Sequence, residues 1–198
     1  RLDVLGRSPI QKRGPDPFRP ARSSWRHREL DAPIDEAKRP STHHRGLVQV
    51  HHALAGSLRA AASAVDAPLD VLVQQALTAG CSLFAHHAVE TEVLFPVLRR
   101  CGRLRSADAA FLEACDRAHR ELHALCERMV ASATAPHPSA HEIAQLAHEA
   151  SKAMAAHIVE EEAGLAPDRM RAMLSPEELV ELVESRVLPE AVRRRMGQ

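Results

Sequence analysis

The sequence predicts an all-α protein: an antiparallel up-down-up-down four-helix bundle with an irregular N-terminal arm and an extra C-terminal helix. Three observations carry this expectation. The 198 residues are 45% hydrophobic yet hold only 8 Gly, 3% aromatics and no Tyr, a composition that suits helices and not a sandwich or barrel. Apolar residues recur with the 3-4-3-4 spacing of a buried helical stripe in four successive segments. The breaks between those segments are short, and short connections between long helices give antiparallel neighbours.

The elements follow in order. Residues 1–40 hold six of the thirteen prolines and lack helical periodicity, so they read as an irregular arm. Residues 1–45 carry 11 Lys and Arg against 6 Asp and Glu, leaving 15 against 20 in the remainder. A basic arm beside an acidic body is expected to pack on its own domain or on a neighbouring subunit, or else to stay solvated. The first helical segment starts at a Ser41/Thr42 cap, presents Leu47, His51, Leu54, Leu58, Ala61 and Val65, and stops at "DAPLD". The second presents Leu72, Ala76, Ala79, Leu83, His86, Glu90, Val93 and Val97 and ends near Gly102. The third presents Leu112, Cys115, His119, Leu122, Cys126 and Met129 and stops before "TAPHPS". The fourth presents Ile143, Ala147, Ala150, Met154, His157, Glu161 and Leu165 and breaks at Pro167. A fifth begins at the capping box "SPEE", ahead of Leu179, Leu182 and Val183. The expected division is therefore arm 1–40, bundle 41–167 and C-terminal helical extension 168–198, with the arm or the last helix as the place for a homo-oligomer contact.

Charge and cysteine content narrow the function. A net formal charge of zero offers no electrostatic attraction to nucleic acid or an anionic membrane, and no apolar run approaches the ~20 residues of a membrane span. No nucleic-acid or membrane partner is expected. Cys81, Cys101, Cys115 and Cys126 form no Cys-x-x-Cys pair, which fits free thiols in a reducing, cytoplasmic setting. An opening Arg1 in place of Met fits a trimmed start. The anomaly is thirteen histidines, the side chain that most often ligates metal.

Those histidines fall inside the apolar stripes. His51, His86 with Glu90, His119, and His157 with Glu161 share the phase of the core residues, so six ionisable groups face one interior. Burying them without partners costs several kcal/mol each; four neutral imidazoles and two carboxylates can form a hydrogen-bonded network, but a pair of divalent ions suits them better, supplying positive charge and accepting their lone pairs. Residues i and i+4 lie one turn apart on one face, so each His-x-x-x-Glu offers a nitrogen and an oxygen to the same cavity. Levels agree. At about 1.5 Å per residue, His51 stands 15 residues before the first turn and His86 17 residues after it, at about the same height. His44, one heptad earlier, would sit roughly 7–8 Å too far along. His123, four residues after His119, flanks the stripe as a further ligand. His52 and His87 lie about 100° off their neighbours and are expected to face the outer shell, another helix or solvent. His137, His141 and His148 read as loop or surface residues, and Glu92, Glu160 and Glu162 as solvated.

The motifs "LVQVHHAL", "HHAVETEVLFP", "AHRELHAL" and "HIVEEEAGLAP" together resemble the hemerythrin-like (HHE cation-binding) domain family over roughly residues 43–166. The resemblance implies a non-haem di-iron site with His86 and His119 among the terminal ligands, His51 and His157 completing them, and Glu90 and Glu161 bridging. The oxygen carriers of the family place an Asp five residues after the last His; here Glu161 stands at four, as in the wider bacterial family, and Glu162 stands at five. Other helical chemistries fit less well: no Glu has a His three residues later, as ferritin-like sites need, and no His-Glu-x-x-His occurs.

Three readings follow. One is a binding or sensing module for dioxygen or another small diatomic or peroxide ligand, its two irons walled by Leu54, Leu83, Leu122 and Met154. The alternative is a di-iron oxidoreductase acting on peroxide, nitric oxide or a small organic substrate, with His87, His123 or Cys115 as acid or base. A third reading is a regulatory protein whose arm or last helix engages a partner when the metal state changes. Manganese and zinc are the other metals that such a nitrogen and oxygen donor set accepts.

Overall fold

The structure, a computed structural model, describes residues 39–184 apart from residue 102. What was expected of 1–38 and of 185–198 lies outside the described residues.

Four long helices dominate: α1 (Arg39–Ser63), α2 (Leu69–Val89), α4 (Ser106–Thr134) and α5 (Ala140–Gly164). A π-helical turn (Glu90–Leu94) runs on from α2 into the short α3 (Phe95–Arg100), and α6 (Pro167–Met173) and α7 (Pro176–Glu184) follow α5. No strand occurs among the described residues, in line with the expected all-α class. Among the long helices α1 packs on α2 and α5, α4 packs on α2 and α5, and α2 also meets α5.

The core is split in two. One apolar cluster gathers Leu54 and Leu58 of α1, Leu72 and Leu83 of α2, Leu122 and Met129 of α4, and Ile143 and Met154 of α5. The other gathers Leu47, Leu94, Phe95, Leu98, Leu112 and Leu165 with Met170, Met173 and Leu179 from α6 and α7. Between them every long helix crosses a polar layer. On α1 it is His51; on α2 and the π turn, His87 and Glu90; on α4, His119; on α5, His157 and Glu161, all buried.

Three expectations are corrected at the element level. α1 already runs at Arg39, ahead of the Ser41/Thr42 cap, and ends at Ser63. Val65 therefore lies in the turn and is 39% exposed, because Pro68 disfavours helix just before it. Pro167, read only as a break, follows the end of α5 at Gly164 and is also the first residue of α6, where its missing N–H costs nothing. The second segment keeps its stripe only as far as Glu90. Beyond it Leu94, Phe95 and Leu98 are buried, and not Val93 and Val97, which are half-buried.

The cause of that shift is the π turn. Phe95 N–H donates to the Glu90 carbonyl, five residues back, so the helix gains one residue per turn and everything after it moves on by one position. Pro96 explains why it forms here: it has no N–H to give and its ring would clash with the carbonyl four residues earlier in an α-helix. Thr91 Oγ1 donates to the His87 carbonyl at 2.7 Å, satisfying an acceptor at the π junction.

Two contacts fix the lower elements. At Gly164 a Cβ would run into the Phe111 ring, so only glycine lets the end of α5 approach α4 this closely. Asp108, on the first turn of α4, accepts from Arg105 Nε at 2.8 Å and from Arg169 Nη2 of α6 at 2.8 Å. At the opening of α7, Ser175 N–H donates to Glu178 Oε2 at 2.7 Å and Glu178 N–H to Ser175 Oγ at 3.1 Å, the expected capping box.

Arg105, then Arg169, hold the Asp108 carboxyl well below the usual carboxylate range. A depressed folded-state pKa contributes stability that is complete above the unfolded value of about 3.9 and fades as pH falls through the lower folded value. Asp108→Asn is expected to cost about 1.5–3 kcal/mol at neutral pH, the worth of charged hydrogen bonds. Denaturant melts of both proteins check this, and the gap should narrow steadily below pH 4.

Candidate metal centre

The polar layer forms two groups of ligand atoms. His51, His86, Glu90 and Glu161 make one, and His87, His119 and His157 the other; within each, one ligand atom per residue lies within 4.8 Å of the rest. His51 Nε2 and His157 Nε2 both approach Glu161 Oε2, at 3.1 and 3.0 Å. His86 Nε2 stands 3.2 Å from Glu90 Oε1. Glu90 turns its other oxygen to His119 Nε2 at 3.6 Å, and Glu161 turns its other oxygen to the same nitrogen at 4.0 Å. Each carboxylate thus reaches both groups.

These approaches are close without being aligned as hydrogen bonds. His51 Nε2, His86 Nε2 and both oxygens of Glu90 and of Glu161 are buried with no hydrogen-bond partner among the described residues. His119 Nε2 and His157 Nε2 do face each other at 3.1 Å, leaving both Nδ1 atoms unpartnered. Lone pairs that converge on a common space and not on each other are what a cation satisfies. The donor set, imidazole nitrogen and carboxylate oxygen with no thiolate among them, suits iron, manganese or zinc.

Electrostatics prepare the same outcome. Burial pushes the His86 imidazole down to about 4 and that of His119 to about 3, so at neutral pH both are uncharged and keep a lone pair to give. Burial and then the Glu161 charge push Glu90 up, well above its ordinary range. For Glu161 burial acts in the same direction, but contacts with His157 and His51 outweigh it and hold the group ionised. Burial also opposes protonation of His51, and the Glu161 and Glu162 carboxylates overcome it.

Glu162 has a definite place. Its Oε1 lies 3.0 Å from His51 Nδ1, on the far side of the ring from Glu161. This carboxylate orients the imidazole and fixes its tautomer, leaving Nε2 to point into the layer. Of the two alternatives at four and five residues after His157, Glu161 enters the cluster and Glu162 stands behind His51 instead of being solvated.

Most of the sequence-predicted residues meet here: His51, His86, Glu90, His119, His157 and Glu161 all belong to the two groups. His123 belongs to neither. It is half-buried, its ring stacked 5.1 Å from that of His87. Sequence reasoning missed His87, which is fully buried and stacked on His119 with ring centroids 3.8 Å apart and planes 9° from parallel. The signal was available: on a wheel of about 100° per residue, Glu90 falls between His86 and His87, about 40° from one and 60° from the other. His52, His137, His141, His148, Glu92 and Glu160 are exposed, as expected.

A helical fold, without strands among the described residues, whose buried imidazoles and carboxylates converge in two groups that could hold a metal ion fits a cation-binding helical protein. A family model, the Hemerythrin HHE cation binding domain, matches residues 41–168, and the chain belongs to that family. No curated protein and no solved structure gives a match.

Glu162→Gln is expected to weaken metal binding about 10- to 100-fold, the usual effect of removing a ligand's orienting partner. Glu160→Gln, one residue away and exposed, should leave it unchanged. Competition with a metal-sensitive chelator measures both.

Proposed function

We propose that this chain is a non-haem di-iron protein of hemerythrin type that binds or senses dioxygen or a related small oxidant in the polar layer of an antiparallel up-down-up-down four-helix bundle. The observation that carries the reading is the reach of the two carboxylates: Glu90 and Glu161 each have one oxygen toward His86, or toward His51 and His157, and the other toward His119. A carboxylate with an oxygen for each of two ions is the arrangement that a bridged pair needs. The topology is supported by the order in which the helices cross the layers: α1 passes from Leu47 to Leu54, α2 from Leu83 to Leu94, α4 from Cys115 to Leu122 and α5 from Met154 to Leu165, alternating between the clusters.

In this reading His51, His86, His119 and His157 hold the ions with the two glutamates. Iron there supplies redox chemistry toward dioxygen, nitric oxide or peroxide. The chain's own residues do the rest. Leu54, Leu83, Leu122 and Met154 on one side and Leu94, Phe95 and Leu165 on the other, all buried, exclude water and so protect a reactive reduced site. Glu162 holds the His51 ring in register. A cavity of about 370 Å³, bordered by Thr91, Asp116, His119, Arg120, His123, Ala124 and Glu127, brings small molecules to the His119 edge.

That cavity also favours a second reading, an oxidoreductase turning over peroxide, nitric oxide or a small organic molecule. His123 on the cavity wall is its natural proton carrier. Cys115 is not, because burial, with the Glu161 and Glu90 charges, pushes its thiol up and keeps it protonated. The free cysteines, three of them buried, fit a reducing cytoplasmic setting. No helix among the described residues is long and apolar enough to cross a membrane. The arm and the last helix are the proposed oligomer or partner contacts.

Anaerobic protein loaded with ferrous iron should hold two irons per chain and develop near-ultraviolet and visible charge-transfer absorption on aeration. Two bound irons with no spectral response to oxygen would contradict the binding reading. Multiple turnover with peroxide or nitric oxide under reducing conditions, lost in His86→Ala, marks the enzyme; equal rates in both proteins reject it.

A further inference from the structure

The cavity beside α4 has a chemistry of its own. At about 370 Å³ it is of the size that encloses a small organic molecule. Apart from Thr91 of the π turn, the residues that border it lie along one strip of α4, from Asp116 to Glu127.

Charge along that strip is uneven. Asp116 stands one turn before Arg120, the spacing at which a carboxylate neutralises a guanidinium, but Arg99 of α3 engages it instead. Glu127 is two turns beyond Arg120, about 10 Å along the axis, too far to pair with it. Among the described residues Arg120 has no ion pair and no hydrogen bond. On a convex surface water would serve such an arginine well. On the wall of a cavity its planar fork of donors is a seat for a carboxylate, whose two oxygens match it.

The rest of the cavity suits a short carbon chain attached to that carboxylate. Ala124 and the half-buried ring of His123 offer carbon surface between Arg120 and Glu127. His123 Nε2 is buried with no hydrogen-bond partner among the described residues, a polar position left for a ligand to use. Glu127 repels an anion from the far end, so the carboxylate belongs at Arg120 and the chain points toward His123. His119 borders the same cavity and is also a member of the polar layer.

We propose that this cavity binds a short organic carboxylate, its two oxygens on the Arg120 guanidinium and its carbon chain along Ala124 and His123, next to the His119 edge of the polar layer. This names a substrate class for the oxidoreductase reading above. It rests on that reading for the consequence of binding, while the binding itself depends on Arg120.

Butyrate is the probe, titrated into the full chain loaded with zinc or, without oxygen, with ferrous iron, and followed by the broadening of its proton NMR signals. The expected result is saturable binding that weakens about tenfold or more in Arg120→Gln, the loss of a charged hydrogen-bonded pair. Arg117→Gln, exposed on α4 and outside the cavity, should bind butyrate as the original chain does. 1-Butanol, with the same carbon chain and no charge, should bind about tenfold or more weakly than butyrate. In the ferrous chain the bound butyrate protons should also relax faster than in the zinc chain, because the cavity touches His119. No saturable binding, equal affinity in Arg120→Gln, equal affinity for butanol, or an iron-loaded chain that relaxes bound butyrate no faster overturns the assignment. A chain that takes up no metal yet binds butyrate through Arg120 upholds the cavity and overturns the metal reading instead.

Discussion

Charge and lone pairs enclosed between two apolar clusters are the constraint on which this structure turns. His51, His87, His119, His157, Glu90 and Glu161 are each no more than 3% exposed, and water cannot repay the hydration they lose. Hydrogen bonding among themselves satisfies only part of the set, since the carboxylate oxygens and most of the ring nitrogens converge without alignment. The apolar clusters above and below are what keep the layer dry. The same dryness keeps His86 and His119 uncharged, and it strengthens whatever a cation contributes there.

The π turn is the local device that makes the layer fit. It begins at Glu90, about one turn after His86 and His87. By taking up one extra residue it brings Leu94 and Leu98 back as buried members of the apolar cluster below, against which half-buried Val97 also packs. Pro96 enforces the turn and Thr91 caps the carbonyl at its start. The end of the polar layer and the helix irregularity therefore meet at Glu90, where the π turn begins.

Much of this was legible in the chain. Six ligand candidates share the stripe phase of Leu47, Leu83, Leu122 and Met154, and periodicity alone brought them to one level. The regular wheel failed where the helix is irregular. It set His87 off the stripe, toward the outer shell, another helix or solvent, because the stripe was drawn through His86 alone, and it made Val93 and Val97 stripe members because no π turn was anticipated, although Phe95-Pro96 announced one. Glu162 was read as solvated since its partner, His51, lies 111 residues away, a contact that no local spacing encodes. Pro167 was read only as a stop; α5 does end before it, and the same proline also opens α6.

The most direct measurement of the central claim is the unfolding temperature of metal-depleted protein before and after reloading with ferrous iron in the absence of oxygen. A cation that satisfies the buried layer binds the folded chain only, so an excess of 100 times the dissociation constant adds about 2.7 kcal/mol. The account predicts a rise of several degrees that saturates with metal and is abolished in Glu161→Ala. An unfolding temperature indifferent to iron, with the layer already stable on its own, would contradict it.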